Sequence, residues 1–72
     1  MSQLRTQILD ALRESSEGRI AEARLNVEVY LHNPVGIGEH SDVLAAIKTQ
    51  LDVIAEEQER INTLEYYFVS HS

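Results

Sequence analysis

Midway along the chain stands Asn33-Pro34-Val35-Gly36-Ile37-Gly38, and only one weaker interruption occurs elsewhere in its 72 residues. Proline has no amide hydrogen and biases the residue before it away from helical geometry. Two glycines at alternate positions extend the irregular stretch. Ser41 then reads as an N-cap, with Asp42 favourably placed at the positive end of a new helix dipole. The spacing predicts one domain, 1–72, with a helix over about 2–32, a loop over 33–40, a helix over about 41–68 and a short tail over 69–72. Two helices of similar length joined by one turn fold back on each other. The expected fold class is therefore all-α, an antiparallel two-helix hairpin.

The second helix carries the stronger pattern. Leu44, Ile47, Leu51, Ile54, Gln58, Ile61, then Leu64 or Glu65, and Phe68 alternate in steps of three and four, the heptad rhythm of a coiled-coil seam. Val43, Ala46, Val53 and Ala55 widen the apolar face beyond a strict seam, as in bundles of several helices. Gln58 is the polar member of the seam.

The first helix offers two stripes. Leu9, Leu12, Ser16, Ile20, Ala23, Val27 and Tyr30 form one; Leu4, Ile8, Ala11 and Ser15 form its neighbour. Its weak point is Ser15-Ser16-Glu17-Gly18, where glycine alone costs about 1 kcal/mol against alanine. A hinge or a true break fits there, but a continuous helix with a thin waist is the expectation. Folding the halves together sets Leu44 against Tyr30, Ile47 against Val27, Leu51 against Ala23, Ile54 against Ile20 and Ile61 against Leu12. Phe68 then falls beside Leu4 and Ile8, and Gln58 opposite Ser15 and Ser16. One polar residue thus meets one polar waist, which is expected to fix register.

Two long helices alone cannot cover faces this wide. Each would extend about 40 Å, and a pair of cylinders leaves half of each face in water. A chain this short also needs a staple, and with no cysteine the disulfide and the thiolate metal site are excluded. Self-association is what remains. A dimer closing a four-helix bundle is expected, with a higher oligomer such as a trimer of hairpins also closing the core. Leu12, Ile20 and Val27 join the second-helix seam in that expected core or oligomer interface, while Val35 and Ile37 would plug the loop end.

Charge narrows the choice of partners. Twelve acids against six bases give a net charge of −6, and Arg5, Arg13, Arg19, Arg24, Lys48 and Arg60 are scattered. Such a surface repels phosphate backbones and anionic lipid, so neither nucleic acid nor membrane is an expected partner. No apolar run nears the roughly 20 residues that span a bilayer, and the first residues lack a signal-peptide plan, so a cytoplasmic location is expected.

Candidate chemistry is sparse. Gly36-Ile37-Gly38 lacks the strand, third glycine and lysine of a phosphate loop, and Glu39 follows it. His32, Glu39 and His40 flank the loop without a diagnostic metal-ligand spacing; helix-end chemistry explains them better. Glu56, Glu57 and Glu59 read as a solvated helix face. No Ser-His-acid arrangement presents itself, so no catalytic residue, metal ligand or cofactor is expected. Tyr66-Tyr67-Phe68 is the one aromatic cluster; adjacent positions cannot share a helix face, which makes Tyr66 and Tyr67 candidates for partner contact.

Asn26-Val27-Glu28-Val29-Tyr30-Leu31, Asn33-Pro34-Val35-Gly36-Ile37-Gly38-Glu39-His40 and Leu51-Asp52-Val53-Ile54-Ala55 resemble segments of small helical proteins of unassigned role in cyanophage-like marine tailed phages. The resemblance spans Arg24 to Phe68 and implies a viral protein made in a bacterial cytoplasm, with no active site to carry over. The expected function is a non-enzymatic, homo-oligomeric assembly, scaffolding or adaptor component. The alternative is a small acidic inhibitor or host-takeover factor that covers a basic surface of a host protein.

Overall fold

The computed structural model describes residues 2–33 and 40–69. Over these residues the chain is all-α: α1 spans Ser2–His32, α2 spans His40–Leu64, and one π-helical turn, Glu65–Val69, continues α2. The helices pack side by side, with the start of α1 against the end of α2, which makes them antiparallel. The expected plug residues Val35 and Ile37, and the expected capping side chain of Ser41, lie outside what is described. Among the described residues, no helix is long and apolar enough to cross a membrane.

α1 runs unbroken through Ser15-Ser16-Glu17-Gly18. Gly18 weakens the helix locally, but its neighbour Ser16 is buried against α2 and bonded to it, so tertiary contact outweighs propensity. The pair measures 53 × 17 × 12 Å, which is two helix diameters wide and one thick. Its radius of gyration, 16.2 Å, far exceeds the about 11 Å of a compact chain of this length. It is a single layer, whereas packed domains have at least two.

The contact between helices is organised by residues seven apart. Leu9, Ser16, Ala23 and Tyr30 form the central ridge of α1, and Val43, Gln50, Glu57 and Leu64 that of α2. Ile20 and Val27 flank the first ridge and Ile47, Ile54 and Ile61 the second, all half-buried. The buried residues among those described are Ser16, Ala23 and Glu57. Two of these three are polar, so the most deeply covered point of the hairpin is a polar layer set among half-buried aliphatic residues.

This arrangement differs from the expected pairing by a rotation of α2 through one residue. Leu44, Leu51 and Gln58 do not face Tyr30, Ala23 and Ser16; they are exposed, and Val43, Gln50 and Glu57 hold the central ridge instead. The position along the axis is close to that expected, since the polar layer still forms at Ser16. Glu57 displaces Gln58 because, turned inward, its charge reaches a hydroxyl donor and two guanidinium groups together. A neutral amide would take the counter-charge from Arg19 and leave Arg60 only its pair with Glu56 on the same helix. Phe68 lies alongside Arg5, Leu9 and Leu12.

Candidate functional site

The most elaborate side-chain cluster is built around Glu57, which is 4% exposed. The Ser16 hydroxyl donates to Glu57 Oε1 at 2.7 Å. Arg19 Nε lies 3.0 Å from Oε2, and Arg60 Nε lies 3.3 Å from Oε1. Arg19 comes from α1 and Arg60 from α2, so the carboxylate is held from both helices. Both of its oxygens are occupied by donors, which makes it a poor general base and a good register lock. Among the described residues, no buried side-chain nitrogen or oxygen lacks a hydrogen-bond partner. Glu56 and Glu59 are exposed as expected of a solvated face; Glu57, read with them, is the member that turns inward.

Other polar ties span the seam toward both ends. Asn26 Nδ2 donates to Gln50 Oε1 at 3.1 Å. Arg13 Nε donates to Glu65 Oε2 at 2.8 Å, and the bond to this carboxylate pushes the guanidinium above its ordinary pKa. Arg5 Nη2 donates to the Phe68 carbonyl oxygen at 2.8 Å, satisfying a backbone acceptor that the end of the helix leaves open. Gln58, expected in this layer, instead donates to Asn62 one turn along α2 at 3.2 Å.

Outside the seam, the hairpin presents large aliphatic side chains to solvent. On α2, Leu44 is 60% and Leu51 49% exposed, with Ile47 and Ile54 half-buried between them and the α1 contact. On α1, Leu4, Ile8, Ala11, Ser15, Gly18, Glu22, Leu25 and Val29 recur in steps of three and four, and all are exposed. This is the neighbouring stripe read in the sequence, continued to Val29. Leu25 is 65% exposed, and a Cβ added at Gly18 would meet nothing within 4 Å.

Helix periodicity puts these two stripes on opposite faces of the flat hairpin. Arg13 and Glu65 bridge the face that carries the α2 stripe. An open groove of about 410 Å³ on the other face is lined by Leu12, Ile61, Leu64 and Phe68, with Glu56, Glu59 and Arg60 at its edge. The π turn sets Tyr66 and Tyr67 edge to face, centroids 4.7 Å apart, and leaves both exposed. His32 Nδ1 donates to the Glu28 carbonyl oxygen at 2.8 Å, ordinary helix-end chemistry; Glu39 and the His40 side chain lie outside the described residues.

Of the residues singled out in the sequence, Ile20, Val27, Ile47, Ile54 and Ile61 meet in the hairpin seam, while Leu12, Leu44, Leu51, Gln58 and Phe68 remain exposed on a single chain. Glu57, Arg19 and Arg60 were missed. The available signal was the seven-residue step Val43, Gln50, Glu57, Leu64, matching Leu9, Ser16, Ala23, Tyr30. It was masked by the greater hydrophobicity of the stripe one residue over. No family model, curated protein or solved structure matches the chain.

Proposed function

We propose that this hairpin is a non-enzymatic building block that associates with copies of itself and serves as an assembly, scaffolding or adaptor component. On its resemblance to tailed-phage proteins, it would act in a bacterial cytoplasm during infection. One observation carries the reading: a layer one helix thick turns small and polar residues inward while Leu4, Leu25, Leu44 and Leu51 point to solvent. Burying such side chains stabilises by roughly 1.5–3 kcal/mol each, and a single hairpin forgoes most of it. A second layer of helices recovers it. Multi-angle light scattering tests this: the expected mass is two or more times the 8.2 kDa of one chain. A folded monomer at micromolar concentration would refute it.

The acidic-inhibitor reading retains one supporting feature, the exposed row Asp10, Glu14 and Glu17 along α1 on a chain of net charge −6. Affinity capture from host and infected lysates separates the two roles. Structural viral proteins support assembly; a host polymerase or nuclease supports inhibition.

A further inference from the structure

We infer that the second copy docks on the face carrying the α2 stripe, Leu44, Ile47, Leu51 and Ile54, in a two-fold contact that closes a four-helix bundle, and that the α1 stripe stays outside it. This rests on the self-association proposed above and assigns its surface.

The area involved is of the right size. A compact monomer of 8.2 kDa exposes about 4,500 Å² by the usual scaling with mass. This chain exposes 5614 Å², an excess of about 1,100 Å². A standard stable interface takes roughly 800 Å² from each partner, so one docked copy removes most of the excess.

The two stripes are unequal candidates for that copy. On α2, four successive seam positions are large aliphatic residues with no polar interruption, and half-buried Ile20 and Val27 of α1 lie across the seam from them. The α1 stripe has its large residues only at the ends, with Ala11, Ser15, Gly18 and Glu22 between them. Pairing that face would bury a carboxylate or hold it at the edge beside its symmetry mate, on a chain already carrying −6. Between Asp42 and Glu56 the acid of α2 is Asp52, which periodicity places on the side of the helix away from both α1 and the Leu44–Leu51 stripe. The aliphatic line Leu44–Ile54 offered to a like-charged copy therefore contains no carboxylate, and Glu65, farther along the same face, is already paired with Arg13.

The experiment compares Leu51→Glu with Leu25→Glu by light scattering, with circular dichroism to follow helix content. Both side chains are exposed in the single hairpin, so neither substitution disturbs its seam. The expected result is loss of the oligomer with Leu51→Glu, a Kd raised at least 100-fold, and an unchanged mass with Leu25→Glu. The reverse pattern, or equal loss in both, overturns the placement while leaving self-association standing. A folded monomeric parent chain overturns both proposals. Should Leu51→Glu fail to fold, the cysteine-free sequence allows a second measurement on the oligomer itself. Single-cysteine variants Leu51→Cys and Leu25→Cys are treated with a short bis-maleimide. Covalent dimers from Leu51→Cys alone support the placement; dimers from Leu25→Cys alone, from both, or from neither overturn it.

Discussion

The two sides of α2 differ in a way that reverses the usual order of a folded helix. The side turned to α1 holds Val43, Gln50, Glu57 and Leu64, and the side next to it holds Leu44, Ile47, Leu51 and Ile54. The first includes the buried Glu57 and the second the exposed Leu44 and Leu51, yet the second is the more hydrophobic. A helix pair in close contact has room at its centre for small residues and for polar ones that bond across, as Ala23 and the Ser16–Glu57 layer do. The hairpin contact thus specifies alignment, while Leu44 and Leu51 of the more apolar side stay exposed on the single chain.

Substitutions that exchange the characters of the two sides should break this division, beginning with the inward one. Ala23→Leu places an outward-type residue where the fractional exposure is only 2%, and should cost about 2–3 kcal/mol in urea denaturation at fixed chain concentration. Glu57→Ala removes the partner of Ser16 and Arg19 and one of the two carboxylates paired with Arg60. The two arginines are more than half exposed and can return to water, which holds the expected loss to about 1–2 kcal/mol. Gly18→Ala probes the outward side of α1: with open space at the Cβ, it should gain about 0.5–1 kcal/mol by restoring helix propensity at the waist. A loss of stability there would place a close neighbour against Gly18 in the assembly. Gln58→Leu has the smallest effect on the hairpin, within about 0.5 kcal/mol, because the amide is exposed and bonded only along its own helix. Since the new leucine extends the outward stripe, the measurable change should be tighter self-association in a dilution series.

The hairpin itself was readable from Pro34, the flanking glycines and the three-four rhythm of each half, since these act locally on backbone geometry. The α1 stripe Leu9, Leu12, Ser16, Ile20, Ala23, Val27 and Tyr30 was legible for the same reason, and all of it but the exposed Leu12 is buried or half-buried. The rotation of α2 was not. Hydrophobic periodicity reports which side of a helix avoids water but not against which neighbour, and α2 has two sides that compete. The tie-break was an ion cluster assembled from residues 16, 19, 57 and 60, whose mutual approach depends on the fold. A charge run such as Glu56, Glu57, Glu59 conceals one buried member among exposed ones because i and i+1 point in directions about 100° apart.

The bond from Arg5 to the Phe68 carbonyl fastens the beginning of α1 to the end of the π turn, so the rod has two unlike poles, 53 Å apart along its length. One pole carries Ser2 and Val69, and the other carries His32 and His40, the facing ends of α1 and α2. Copies laid in opposite directions give a particle whose poles are equivalent; copies laid in the same direction gather every chain end at one pole. Fluorophores attached near Ser2 or Val69 therefore report the direction of neighbouring rods by energy transfer, efficient when rods run alike and weak when they alternate. Directionality of this kind decides whether a small helical piece can mark one end of a larger structure or only lie along it.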